Sequence, residues 1–119
     1  MKLWMDDVRP APEGYIWATT VREAIYHICR YNRESDSSWQ MYIDDWISRA
    51  DLERYLKTWT IEEISCDNDL GENETEGYKL LDWLEATGRN YPIRIHSANP
   101  VARERMRAII QRNGWTEVK

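Results

Sequence analysis

Short apolar runs alternate with helical periodicities along this chain. Lys2–Met5 is apolar up to Asp6-Asp7 and predicts a buried strand ending in carboxylates. Val8–Gly14 (VRPAPEG) is a Pro/Gly loop, and Tyr15–Ala18 predicts a second short strand. Thr19 or Thr20 offers an N-cap, and Glu23, three residues after Thr20, completes a capping box. The helix that follows runs to about Tyr31, with Val21, Ala24, Ile25 and Ile28 on one face. Asn32–Ser38 is polar and turn-rich. Trp39–Trp59 predicts one or two helices, while Met41–Ile43 fits a strand equally well.

Ile61–Cys66 predicts a strand running into Asp67-Asn68-Asp69-Leu70-Gly71. After an acidic loop, Glu72–Glu76, the segment Gly77–Thr87 reads as a helix that buries Tyr78, Leu80, Leu81 and Leu84 and stops at Gly88. Pro92–His96 is a strand. Asn99-Pro100 supplies an N-cap and a first-turn Pro for a helix reaching about Arg112, with Val101, Met106, Ile109 and Ile110 inward. Gly114 ends it, and Trp115–Lys119 predicts a final strand. Strands alternating with helices predict an α/β fold with right-handed crossovers.

Composition narrows the class. A chain of 119 residues fits one domain, expected over 1–119. Hydrophobic residues at 42% and charged residues at 31% favour a core over disorder. No apolar run reaches membrane-spanning length. MKLWMDDVRP has acidic residues where a signal peptide needs an apolar stretch, and Cys29 and Cys66 make no disulfide framework. These features predict a cytoplasmic protein. Seven Trp and seven Tyr with no Phe suit either a ring-filled core or a half-wet partner surface.

Charge is uneven. Residues 89–119 carry seven basic and two acidic side chains, whereas residues 1–88 carry nine basic and nineteen acidic. An acidic front and a basic back suit a site that needs both a cation and an anion, although arginines also simply solvate a helix face. The net charge of −5 argues against a nucleic-acid partner.

Three predicted strands end in polar groups: Asp6-Asp7, Asp67 to Asp69, and His96-Ser97. In parallel sheets the functional crevice lies beyond the carboxyl ends of the strands. Clustered carboxylates repel one another, and a hard cation such as Mg²⁺ relieves that repulsion. At the third strand end, His96-Ser97-Ala98-Asn99-Pro100 leads straight into a helix start, which attracts anions, phosphate above all. Arg103 lies on its first turn and Arg107 one turn on, where they either reach a phosphate or face solvent. Ser97 and Asn99 fit either helix capping or phosphate contact, and Arg9 in the first loop is placed to approach the pocket.

These motifs resemble the receiver domain of two-component response regulators, and more closely the cyclic-phosphate processing receiver-like domains. The strings LWMDDVRPAPEGYIWATTVREAI, EEISCDNDLG, EGYKLLDWL and IRIHSANPVARERM carry the resemblance, which spans nearly all of the chain except about 32–60. It implies a reduced, receiver-like (flavodoxin-like) three-layer sandwich with a mostly parallel sheet of four to five strands. The Trp-rich, helical insertion at about 32–60 would serve as a lid or a protein interface. Asp6 and Asp7 would be metal ligands. Asp67 would be a ligand matching the receiver phosphoacceptor, and Asp69 would sit where a backbone carbonyl reaches the metal. Ser97 would match the phosphate-contacting hydroxyl, with His96 and Asn99 in the family's own motif.

The implied function is a metal-dependent phosphoesterase that processes a cyclic phosphate on a nucleotide-like molecule. Mg²⁺ or Mn²⁺ would sit on the acidic pocket, Asp67 and His96 would be catalytic, and Ser97, Asn99, Arg103 and Arg9 would hold the phosphate. The alternative is a non-catalytic module that binds a phosphorylated nucleotide or a protein partner. Two departures bear on the choice: Asn68 stands where the family usually has His, and Lys119 is terminal where a receiver has an internal Lys.

Overall fold

The computed structural model describes residues 1–32 and 61–119. Strands β1 (Lys2–Met5), β2 (Tyr15–Ala18), β3 (Glu63–Cys66), β4 (Ile93–Ile95) and β5 (Glu117–Val118) form one sheet. Every pairing is parallel and the order is β2-β1-β3-β4-β5. This is the order of flavodoxin-like sheets, and the fold is receiver-like α/β. The described helices are α1 (Val21–Tyr31), α2 (Tyr78–Ala86) and α3 (Pro100–Asn113). The expected helices or strand between Trp39 and Trp59, and the insertion as lid or interface, lie outside the described residues.

Alternation along the strands sorts the side chains into two faces. Leu3, Met5, Ile64, Cys66, Ile93 and Ile95 point one way and are buried. Against them lie Val21, Ala24 and Ile28 of α1, Leu80, Leu81 and Leu84 of α2, and Met106, Ile109 and Ile110 of α3. Each buried Leu, Ile or Met contributes about 1.5–3 kcal/mol, so this interface is the main source of stability. The second helical layer of the expected sandwich is not among the described residues.

The opposite face is aromatic and charged, with Lys2, Trp4, Tyr15, Trp17, Glu63, Ser65 and Arg94 in register. Glu63 accepts from the Tyr15 hydroxyl and from Arg94 Nε (3.1 Å) and Nη2 (3.3 Å). Burial alone would raise its carboxyl, but the Arg94 and Tyr15 donors outweigh burial and hold it below the usual glutamate range. A depressed folded-state pKa gives stability that is present above the ordinary value and lost as the pH falls through the folded one. Glu63→Gln is therefore expected to cost about 1–2 kcal/mol at pH 7. The difference from wild type should shrink as the pH drops below the glutamate range, as urea unfolding at both pH values would show.

Local sequence sets the boundaries. Thr20 Oγ1 accepts from Glu23 N at 3.1 Å, and Glu23 reaches back to Thr19 N at 2.8 Å. Asn99 caps α3, and Gly114 ends it at φ +68. Val101 is the exception to the expected inward face: it is exposed, and Ala102 is buried in its place. Ala102 lies four residues before Met106 and shares its face, whereas Val101 lies five before and is rotated away.

The β1–β2 connection, residues 6–14, holds no helix. Pro10 and Pro12 discourage one, and Gly14 turns at φ +89. Asp6 shapes this loop by accepting from the backbone N–H groups of Val8 and Arg9, both at 2.9 Å.

Candidate functional site

The carboxyl ends of β1, β3 and β4 bring Asp6, Asp67 and His96 together. One ligand atom from each lies within 4.8 Å of the others. Asp6 is 1% exposed and Asp67 7%. Asp6 Oδ1 is taken by the two loop N–H groups, while Oδ2 meets His96 Nε2 and Arg9 Nε, each at 3.1 Å. Burial opposes ionisation of Asp6, but these donors together draw its pKa below the usual range.

Asp67 has fewer partners. One of its oxygens accepts from Asn68 N at 2.9 Å, and the other has no partner among the described residues. Burial raises its pKa, and the neighbouring charges of Asp6 and Asp69 add to the effect. A buried, under-satisfied carboxylate beside a second carboxylate and an imidazole fits a divalent cation. Asp6 and Asp67 are the residues that would hold it, and His96, whose ring nitrogens meet Asp6 and Ser65, stands beside them and orients Asp6. Arg9 meanwhile pairs with Asp6 through a half-exposed side chain.

His96 is fixed on three sides. Its ring stacks on Trp4, with centroids 4.0 Å apart and planes within 5°. Nδ1 meets Ser65 Oγ at 2.7 Å, and Nε2 meets Asp6. Burial lowers its pKa and the Asp6 carboxylate only partly restores it, so the ring is neutral near pH 7. Ionised Asp6 accepts only, so the proton belongs on Nε2 and Ser65 donates to Nδ1. We expect a long-range ¹H–¹⁵N NMR spectrum to show the Nε2–H tautomer, retained in Ser65→Ala and mixed with the other tautomer in Asp6→Ala.

The β4–α3 junction supplies the anion side. Ser97 is buried, and its Oγ accepts from Asn99 N at 3.2 Å, which leaves its own O–H to donate. Asn99 Oδ1 accepts from Val101 N and Ala102 N at 3.1 and 3.2 Å. The first backbone donors of α3 are therefore already used, and Pro100 has none, so the helix start expected to attract anions offers fewer free N–H groups than an uncapped one. What remains for an anion is the Ser97 hydroxyl, the Asn99 amide N–H₂, the helix dipole and Arg103. Arg103 Nη1 donates to Ser97 O at 3.0 Å and to Ile95 O at 3.5 Å. Arg9 Nη2 reaches His96 O at 3.4 Å, on the rim of the same site.

Residues 1–44 and 33–112 match the family model of the cyclic-phosphate processing receiver domain. The chain belongs to this family. No curated protein and no solved structure matches it.

In this receiver domain, Asp6, Asp67 and His96 converge, with Ser97, Asn99, Arg103 and Arg9 around them. Asp7 and Asp69 stand outside the group of three. Asp7 Oδ2 lies against Gly71, 3.5 Å from where a Cβ would be, and Asp69 is exposed, accepting from Asn68 Nδ2 at 3.3 Å. Asn68, at the family's usual His position, is buried and tied to the start of α2. Its Oδ1 accepts from Tyr78 N at 3.2 Å, and its carbonyl accepts from Gly77 N at 2.8 Å.

Four supporting residues escaped the sequence reading: Trp4, Trp17, Ser65 and Gly77. Trp17 Nε1 donates to the Asp6 carbonyl at 2.6 Å. Ser65 lies two residues before Asp67, so strand alternation alone puts it on the face that His96 shares. The Trp4–His96 stack joins β1 to the end of β4, and no local pattern encodes it.

Proposed function

We propose that this domain is a metal-dependent phosphoesterase that opens a cyclic phosphate on a nucleotide-like small molecule. The observation that carries the reading is the group of buried Asp6 and Asp67 with half-buried His96, set beside the Ser97–Asn99 turn in a chain of this family. A divalent ion bound there, Mg²⁺ or Mn²⁺, would polarise a phosphoryl oxygen and acidify its water. Ser97 and Asn99 donate to the phosphate, and Arg103 and Arg9 balance its charge. Water adds to phosphorus, one ring P–O bond breaks, and a proton passes to the departing oxygen. His96 is assigned to that transfer: its neutral ring would take a proton from the attacking water and pass it to the departing oxygen. No helix among the described residues is long and apolar enough to cross a membrane; a cytoplasmic setting belongs to the proposal.

Phosphorus NMR with Mg²⁺ or Mn²⁺ and a panel of nucleoside 2′,3′- and 3′,5′-cyclic phosphates tests it. Conversion of one cyclic resonance into a monoester or diester resonance is expected; an unchanged panel would sink the proposal. A second reading, a binder without turnover, is favoured by Asn68, which cannot titrate and whose amide is committed to α2 and Asp69. Shifted or broadened resonances without product would select it.

A further inference from the structure

We infer a second anion site beside the first, one that takes a further phosphate of the same ligand; the inference rests on the phosphoesterase reading. Arg103 and Arg107 lie four residues apart on α3 and so share a face. With Lys119, Glu117, Ile95 and His96 they line a cleft of about 400 Å³ at the ends of β4 and β5. That is the size of a small-molecule site, yet its lining is mostly charged.

The charge balance is the telling feature. Arg107 pairs with Glu117 through Nε (2.9 Å) and Nη2 (3.1 Å). Arg103, which borders the first site as well, is held by the Ser97 and Ile95 carbonyls and forms no ion pair among the described residues, with Glu117 only within its electrostatic reach. Arg94, paired with Glu63, and Lys119 bring the cationic side chains of the lining to four, against Glu117 as its one carboxylate side chain. Guanidinium forks fixed by carbonyls match phosphate oxygens in geometry as well as charge. His96 borders both this cleft and the Asp6–Asp67–His96 group, so a ligand seated at one extends directly into the other. The substrate class is therefore a nucleotide that carries a second phosphate besides the cyclic one.

Calorimetry with inorganic pyrophosphate tests the cleft by itself. Wild type and Asp67→Asn are expected to bind alike, and Arg107→Gln/Lys119→Gln about tenfold or more weakly. Because Arg107→Gln also releases Glu117, Lys119→Gln alone serves as a control and should weaken binding a few-fold. Binding that is absent, or lost in Asp67→Asn and kept in the double variant, would overturn the site. A second arm compares a nucleoside 2′,3′-cyclic phosphate with and without a 5′-phosphate. Tighter binding of the 5′-phosphorylated form, by about tenfold and only with the cationic cleft intact, is expected. Equal affinities would overturn the second site and leave the phosphoesterase reading standing. Pyrophosphate binding with no turnover of any cyclic phosphate would instead remove the phosphoesterase reading and, with it, the substrate class.

Discussion

Asp67→Asn is expected to abolish turnover and at the same time to stabilise the protein. The loss follows from removing one of two carboxylates at the site, and should be on the order of 10³-fold or more. The gain follows from the sign of the Asp67 shift. Burial raises its folded-state pKa, so the ionised carboxylate opposes folding. That cost is absent below the unfolded pKa, grows as the pH rises towards the folded pKa, and is full above it. Asn keeps the oxygen that accepts from Asn68 N and removes the charge. A rise of a few degrees in Tm at pH 7, on the order of 1 kcal/mol, is the expected result without added metal. The advantage should disappear at acid pH, where wild-type Asp67 is protonated. A variant that is both active and no more stable would remove Asp67 from the site. Saturating Mn²⁺ should reverse the order, because only wild type gains from the ion.

Gly77→Ala is expected to be the most damaging single methyl in the chain. A Cβ at Gly77 would lie 1.8 Å from the Asp67 carbonyl oxygen and 2.9 Å from Asn68 Cα. Its φ of −60 is ordinary, so the demand is for space and not for an unusual backbone conformation. Backbone cannot yield as a flexible side chain does, so the Asp67–Asn68 turn or the head of α2 must move. A cost of about 3 kcal/mol or more is expected in urea unfolding, together with loss of cation binding. Gly88→Ala is the control. That residue has φ +68 and open space around its Cβ position, so only about 1 kcal/mol of backbone strain is expected. Similar costs for the two variants would show that the close approach at Gly77 is not what fixes the turn.

Much of the site was legible because its parts lie at strand ends. Asp6, Asp67 and His96 each follow an apolar run, and a parallel sheet collects such ends at one edge. Asn99 was readable as a cap because its pairing with Pro100 is a local signal. The distinct roles of Asp6 and Asp7 were not readable. Adjacent residues with the same side chain differ here in what they meet: the loop N–H groups, Arg9 and His96 at Asp6, and Gly71 at Asp7. The same limit applies to Val101, whose apolar side chain promised burial until the helix phase gave Ala102 the inward position.

Over residues 1–32 and 61–119 the sequence alone determined the order of strands and helices, their caps, the family motifs and the carboxylates on offer, because periodicity, capping and turn chemistry act over a few residues. Tertiary structure decided which charges are shared and which stand alone. It placed Ser65, Trp4 and Asp6 around one imidazole, left one Asp67 oxygen without a partner among the described residues, and gave Arg107 a carboxylate but Arg103 only carbonyls. Those outcomes depend on contacts between residues as many as 92 positions apart in the chain, Trp4 and His96 being the widest pair, and on burial that only the assembled sheet creates.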